Sequence, residues 1–219
     1  RVLFRSTTID SSSPVQIGSS SWTVVAASQF YSMAIRSDGS LWSWGDNQDG
    51  INGNGVNTGV RSWTMVSQGG AHALGITNDG LLFSWGGDVY GSAGLGTNRT
   101  SHAVANRSPI QVGSSSWTMV ATGFHTSYGI RSDGMLFAWG YNANGELGDE
   151  TTVNKNSPVQ IGSDSWTFIG TSVGNNGGFG QHTIHAIRND GILFGWGYNA
   201  AGQIGDETTV NKSSPVQIG

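Results

Sequence analysis

The sequence predicts an all-β fold built from four stacked repeat units, and three observations carry that expectation. The same hairpin is written four times, as Asp38-Gly39-Ser40-Leu41-Trp42-Ser43-Trp44-Gly45, Asp79-Gly80-Leu81-Leu82-Phe83-Ser84-Trp85-Gly86, Asp133-Gly134-Met135-Leu136-Phe137-Ala138-Trp139-Gly140 and Asp190-Gly191-Ile192-Leu193-Phe194-Gly195-Trp196-Gly197. Such periods mark solenoids, propellers or arrays, whose units bury their apolar faces only against neighbouring units. Within each hairpin, alternation puts Leu41, Leu82, Leu136 and Leu193 on one face with Ser43, Ser84, Ala138 and Gly195. Trp42, Phe83, Phe137 and Phe194 share the opposite face with Trp44, Trp85, Trp139 and Trp196, following the two-residue period of a strand. Glycine supplies 35 of 219 residues at fixed places in the copies, which is turn chemistry and not low complexity. A strand with rings on one face and a leucine-small pattern on the other needs partners on both, and radially stacked sheets supply them.

Each copy reads in order as Ser-Trp-Thr opening a short apolar strand, a second strand ending in Ile, an Asp-Gly turn, a third strand ending in Trp-Gly, a Gly/Asn-rich loop, and Ser-Pro-Val-Gln-Ile-Gly. Four strands per unit follow, in approximate units 14–62, 63–108, 109–157 and 158–214 of one domain spanning 1–219. Asp-Gly between apolar runs signals a hairpin, since both residues tolerate positive φ. Asp38, Asp79, Asp133 and Asp190 are therefore turn formers; four equal carboxylates in four equal turns do not make one catalytic centre.

The copies differ in three places. From Trp166 to Asp190 the chain is eight residues longer than between the matching residues of the other copies, and the excess falls in 170–180 with Asn175, Asn176 and Phe179. Between Trp85 and Pro109 five residues are added relative to Trp139 to Pro158, giving the loop 87–107 with Tyr90, Arg99, His102 and Arg107. Loops that vary on a rigid scaffold are where binding concentrates, so these seven residues are the candidate partner-binding set. Between Gly45 and Trp63 the Pro-Val-Gln-Ile-Gly strand is missing, so the first unit is expected to be one strand short.

With these hairpins, His72-Ala73-Leu74-Gly75-Ile76 and its counterparts, and the twin loops Trp139-Gly140-Tyr141-Asn142-Ala143-Asn144-Gly145-Glu146-Leu147-Gly148 and Trp196-Gly197-Tyr198-Asn199-Ala200-Ala201-Gly202-Gln203-Ile204-Gly205, the chain resembles the regulator of chromosome condensation repeat family over almost its whole length. The resemblance implies a β-propeller, which in this family usually has seven blades. The segment Thr7 to Gly18 aligns without a gap to Thr208 to Gly219, so the ends duplicate each other instead of completing one blade. Four units truncated at both ends of a longer array are the expectation.

Composition narrows function. Charged residues are 11% of the chain and the formal net charge is -4, which argues against a phosphate-binding surface and hence against direct nucleic-acid contact. No apolar run reaches the roughly 20 residues of a membrane helix. Cysteine is absent, so there is neither a disulfide framework nor thiolate chemistry. A surface rich in Ser, Thr, Asn and Gly points weakly to an extracellular, cell-surface or virion setting over the cytoplasm.

His72, His125 and His182 recur near one repeat position, filled by Tyr31 in the first copy, and read as packed loop anchors rather than bases. His182-x-x-His185 lacks the Cys or Glu partners of a zinc site, and Asp46-Asn47-Gln48-Asp49-Gly50 lacks the closing Glu of a calcium loop. Glu146, Glu150 and Glu207 fall in equivalent loops and read as scaffold or surface, while Asn98-Arg99-Thr100 and Asn211-Lys212-Ser213 are glycosylation-type triplets. With neither nucleophile and base nor cofactor motif, the reading is a non-enzymatic, cofactor-free scaffold that binds protein partners, including other subunits of a large extracellular or viral assembly. The family resemblance adds two alternatives: guanine-nucleotide exchange on a small GTPase, and a secreted enzyme inhibitor.

Overall fold

The computed structural model describes Gln16 and residues 19–28, 31–45, 61–97, 106–172 and 181–219. Among them are thirteen strands and no helix: β1 Trp22–Ala27, β2 Tyr31–Arg36, β3 Leu41–Gly45, β4 Trp63–Gln68, β5 His72–Thr77, β6 Leu81–Gly86, β7 Asn106–Thr122, β8 Thr126–Arg131, β9 Met135–Gly140, β10 Lys155–Thr171, β11 Thr183–Arg188, β12 Leu193–Gly197 and β13 Lys212–Gln217. All pairings are antiparallel.

Blade 1 is β1-β2-β3; the segment in which its fourth strand was expected to be missing, 46–60, lies outside the described residues. The two 17-residue strands each serve two blades. Asn106 to Ser116 closes blade 2 against β6, and Trp117 to Thr122 opens blade 3 against β8. β10 repeats this, pairing first with β9 and then, from Trp166, with β11. Gly113 (φ 62) and Gly162 (φ 57) mark the turn from one sheet to the next. The opening strands of successive blades touch one another, β1 on β4, β4 on β7 and β7 on β10, which puts them on the inner side of a β-propeller.

Ser-Trp-Thr has a geometric role. In every blade the register of the first two strands shifts just after the tryptophan, and the threonine hydroxyl donates to the opposing Ile carbonyl at 3.2 Å, as in Thr64 to Ile76 and Thr118 to Ile130. This β-bulge swings the tryptophan over the third strand. Trp117 lies edge-on to Phe137 and Trp139 at 5.4 and 6.2 Å, and Trp166 does the same to Phe194 and Trp196 at 5.3 and 6.2 Å. Such pairs contribute about 0.5–1.5 kcal/mol each beyond burial.

The two-faced strands find both partners. Tyr31, Met33, Ile35 and Leu41 of blade 1 pack on Trp63, Phe83 and Trp85 of blade 2. Leu74, Ile76 and Leu82 of blade 2 then meet Trp117 and Trp139 of blade 3, and Tyr128, Ile130 and Leu136 of blade 3 meet Trp166, Phe194 and Trp196 of blade 4. The core is therefore three interfaces between blades.

The Asp-Gly turns corrected one detail of the expectation. Gly39, Gly80, Gly134 and Gly191 take φ of 80 to 86°, but the aspartates do not; each turn is a type I turn followed by a glycine bulge. The aspartate works through its carboxylate, which accepts the amide of the residue after the glycine in Asp38 (2.9 Å), Asp133 (3.2 Å) and Asp190 (3.2 Å).

Candidate protein-binding rim

Antiparallel pairing sends two sets of loops to one rim. Gln68, Gly86 and Asn106 end or begin strands at the end of the sheet marked by the His72–Gly86 pair, and Thr171, Thr183 and Gly197 do so in blade 4. The two segments singled out by their extra length, 87–107 and 170–180, thus both join strand ends on this rim, Gly86 to Asn106 and Thr171 to Thr183. The Asp-Gly turns lie on the other.

The rim is braced by hydrogen bonds that cross from blade to blade. The Tyr31 hydroxyl donates to the carbonyls of Gly69 and Gly70 at 2.6 and 2.7 Å, and the Gly70 amide donates to the Phe124 carbonyl at 3.0 Å. A Cβ on Gly70 would stand 2.5 Å from the Phe124 ring, so only glycine allows this approach. His72 Nε2 meets Ser127 Oγ at 2.7 Å, and the Phe124 amide donates to His182 Nε2 at 3.3 Å. With Nε2 accepting, His182 carries its proton on Nδ1, which donates to the Ser172 carbonyl at 3.0 Å. Burial lowers the pKa of His182 and takes that of His72 down to about 4, so both are neutral anchors at pH 7. His185 points elsewhere, with Nε2 3.2 Å from the Ile204 carbonyl, so the two rings of His182-x-x-His185 do not converge. Among the described residues no group of three or more His, Asp or Glu could hold a metal ion.

On this frame stands a continuous row of rings. Tyr90 contacts Tyr141 at 5.0 Å and His125 at 5.3 Å, both edge-on; His125 contacts Phe124 at 4.7 Å, and Phe124 stacks on His182 at 6.5 Å with an 18° tilt. The row runs from blade 2 across blade 3 to blade 4. His125 and His182 are buried, whereas Tyr90, Phe124 and Tyr141 are half-buried. Tyr90 has φ 60°, a left-handed conformation that costs an L-residue about 1–2 kcal/mol. Asn144 fills the matching place in the next blade at negative φ. Strain at an aromatic rim residue is the kind that persists at binding sites.

The loops beneath are held by a buried polar cage. Asn142 Nδ2 donates to Asp149 (2.9 Å) and to the carbonyls of Thr151 (3.1 Å) and Val153 (3.2 Å), while its Oδ1 accepts the Leu147 amide at 2.9 Å. Asn199 repeats the cage with Asp206, Thr208, Val210 and Ile204. Blade 2 has Asp88 instead, accepting the Ala93 amide at 2.9 Å and the Thr97 hydroxyl. The loops also tie to the next blade: Trp139 Nε1 donates to the Ser92 carbonyl at 3.0 Å and Trp196 Nε1 to the Glu146 carbonyl at 2.9 Å. Glu146 is itself buried, and that burial raises its pKa against the opposing hydrogen bonds from Asn144.

Of the candidate residues read from the sequence, Tyr90 stands in this row and Arg107 lies in β7, its side chain outside the described set. Arg99, His102, Asn175, Asn176 and Phe179 lie outside the described residues, as do Asp46–Gly50 and Asn98–Thr100. Sequence reasoning missed Phe124 and Tyr141. Tyr141 had a signal, the repeated Trp-Gly-Tyr-Asn shared with Tyr198; Phe124-His125 had a parallel in Phe30-Tyr31 of the first copy.

Two family models, each described as the Regulator of chromosome condensation (RCC1) repeat, match the chain, one over 133–179 and 190–219, the other over 22–51, 64–92 and 118–146. The ultraviolet-B receptor UVR8 of Arabidopsis thaliana is 32% identical over 121 residues, which are 55% of this chain and 26% of the receptor. Human WBSCR16 superposes with a TM-score of 0.76 at 22% identity, over 94% of this chain and 55% of that one. Prp20p of Saccharomyces cerevisiae, whose structure was described with its binding to Gsp1p and histones, gives a TM-score of 0.76 at 17% identity, over 93% and 52%. The chain thus spans about half the length of these structures and about a quarter of the receptor.

Proposed function

The chain belongs to the regulator of chromosome condensation repeat family, and from that premise we propose that it is a non-enzymatic β-propeller scaffold that binds a protein partner through the aromatic rim. The observation that carries this reading is Tyr90, an aromatic residue held at φ 60° and propped between His125 and Tyr141. Half-buried aromatic side chains with fixed rotamers are what hot spots are made of, because they present large area at little entropy cost. Arg99, His102, Arg107, Asn175, Asn176 and Phe179, which the sequence puts in the two length-variable segments 87–107 and 170–180, complete the proposed contact set. A protein-binding role is supported by the yeast protein, which was described with its binding to Gsp1p and histones and was crystallised bound to Kap60.

The finer form of the proposal is a building block of a larger extracellular or viral assembly, supported by four similar copies and only 11% charged residues. Sedimentation of the protein from its native source separates the forms: a large particle supports the building block, and a free monomer removes it.

The test of the rim uses Tyr90→Asn, which copies Asn144 of the next blade and suits a left-handed backbone. Partners captured from the native source are purified and retitrated against both proteins. Loss of affinity of tenfold or more with unchanged folding supports the rim, and equal affinity removes it.

A further inference from the structure

The joints between consecutive blades are built from the same parts. The tryptophan that opens an inner strand lies over the rings of its own third strand, as Trp63 does over Phe83 and Trp85. Three residues on, Val66, Val120 and Ile169 are buried in the joint, at 4%, 1% and 1% exposure. The tryptophan amide donates to the turn glycine of the blade before, at 2.8 to 2.9 Å for Gly39, Gly80 and Gly134. The preceding serine, Ser62, Ser116 or Ser165, stands where a Cβ on that glycine would point.

Blade 1 displays one half of such a joint. Trp22 lies edge-on to Trp42 at 6.5 Å, the ring arrangement of the other blades, yet both are only half-buried. Val25, the counterpart of Val66, is 72% exposed. No turn glycine accepts the Trp22 amide among the described residues.

Blade 4 displays the other half. Leu193 is 38% exposed where Leu82 and Leu136 are fully buried, and Phe168 is 49% exposed in the place of the packed Met65 and Met119. Ile187 is half-buried where Ile76 and Ile130 are buried. Gly191 holds φ 85° like the other turn glycines, but its carbonyl accepts no tryptophan amide and no atom lies within 4 Å of where its Cβ would stand.

We infer that this face of blade 4 docks blade 1 of a second copy of the chain: Trp22 and Val25 of the second copy cover Leu193 and Phe168, and its Trp22 amide donates to the Gly191 carbonyl. Continuity with the three joints inside the chain selects this occupant, because blade 1 has the rings, the branched residue, the donor and the serine, Ser21, in the same order. The halves complement each other and not themselves, so the contact is head-to-tail. Four blades from each of two copies make eight, within the range at which propellers close. The joint lies on sheet faces, apart from the aromatic row, and does not depend on what that row binds.

The experiment is sedimentation equilibrium of the 219-residue chain between about 1 µM and 1 mM, where a monomer–dimer equilibrium that stops at the dimer is expected. Val25→Lys and Phe168→Lys alter positions open to solvent in the single chain, so each folds, and each weakens the dimer about tenfold or more by placing an unpaired ammonium in the joint. Mixed in equal amounts, the two variants regain a dimer, because one keeps an intact blade 4 and the other an intact blade 1. A contact between like faces would instead let one variant dimerise unaided. Hydroxyl-radical footprinting of the protein from its native source identifies the occupant: oxidation of Phe168 that rises on dilution supports a second copy, and protection that dilution does not change means a different occupant and overturns the proposal. A chain that stays monomeric at the highest concentration, undiminished dimerisation of either variant alone, or a mixture that remains monomeric overturns it as well.

Discussion

The amide of Trp166 donates to the carbonyl of Gly134 at 2.8 Å, so the turn of one blade holds the first residue of the next blade's inner strand. The same bond joins Trp117 to Gly80 and Trp63 to Gly39. The tryptophan whose ring closes one interface is therefore positioned by the turn of the blade before it. Turn and core are one device, and positive φ at the glycine aims the carbonyl.

Gly134→Ala tests that device. At φ 86° an alanine is strained, and its Cβ would lie 3.2 Å from the Ser165 side chain. The expected loss is about 1–2 kcal/mol in urea unfolding. A neutral result would mean that the turn does not set the interface.

Asn142→Asp tests the loop cage. The substitution replaces a donor to Asp149 by a second carboxylate and leaves the Thr151 and Val153 carbonyls without their bonds. A loss of about 3 kcal/mol is expected at pH 7, smaller at pH 4, where a carboxyl can be protonated and donate. Asp88 tolerates its place because its partners there are an amide and a hydroxyl, both donors.

The pH dependence has two opposing parts. The buried His72 has its pKa lowered to about 4, so the unfolded chain binds the proton more readily; its contribution is complete above about pH 6.5 and disappears as pH falls toward 4. That window carries about 3 kcal/mol at 1.36 kcal/mol per unit. Glu146 has the opposite sign: its raised pKa makes the fold bind the proton more readily, so stability is lost as pH rises through that pKa. Glu146→Gln, the residue found at the matching Gln203, should therefore raise stability at pH 7.5 by about 1 kcal/mol and change it less at pH 4. Thermal melts of both proteins from pH 4 to 8 read the two effects; a variant equally shifted at all pH values would contradict the assignment.

Much of this was legible in the sequence because it repeats. The two-faced third strands, the Asp-Gly turns and the packed histidines each appear in several copies, so a period of two and a turn dipeptide sufficed to place them. What repetition hid was the division of labour within long strands. Ser-Pro-Ile-Gln-Val and Ser-Trp-Thr read as separate elements, yet β7 runs through both, because Gly113 bends the strand without ending it. The aromatic row was less legible still. Tyr90 meets His125, and Phe124 meets His182, only through the stacking of blades, and no spacing along the chain records those contacts.

The central claim, that a protein partner meets the aromatic rim, is tested most directly by site-specific photo-crosslinking in the native source. Tyr90→p-benzoylphenylalanine places the probe in the row, and Ser132→p-benzoylphenylalanine places it in an exposed turn on the opposite rim. The account predicts a discrete protein adduct from position 90 and none from position 132. Adducts from position 132 alone would put the interface on the Asp-Gly turns and contradict it.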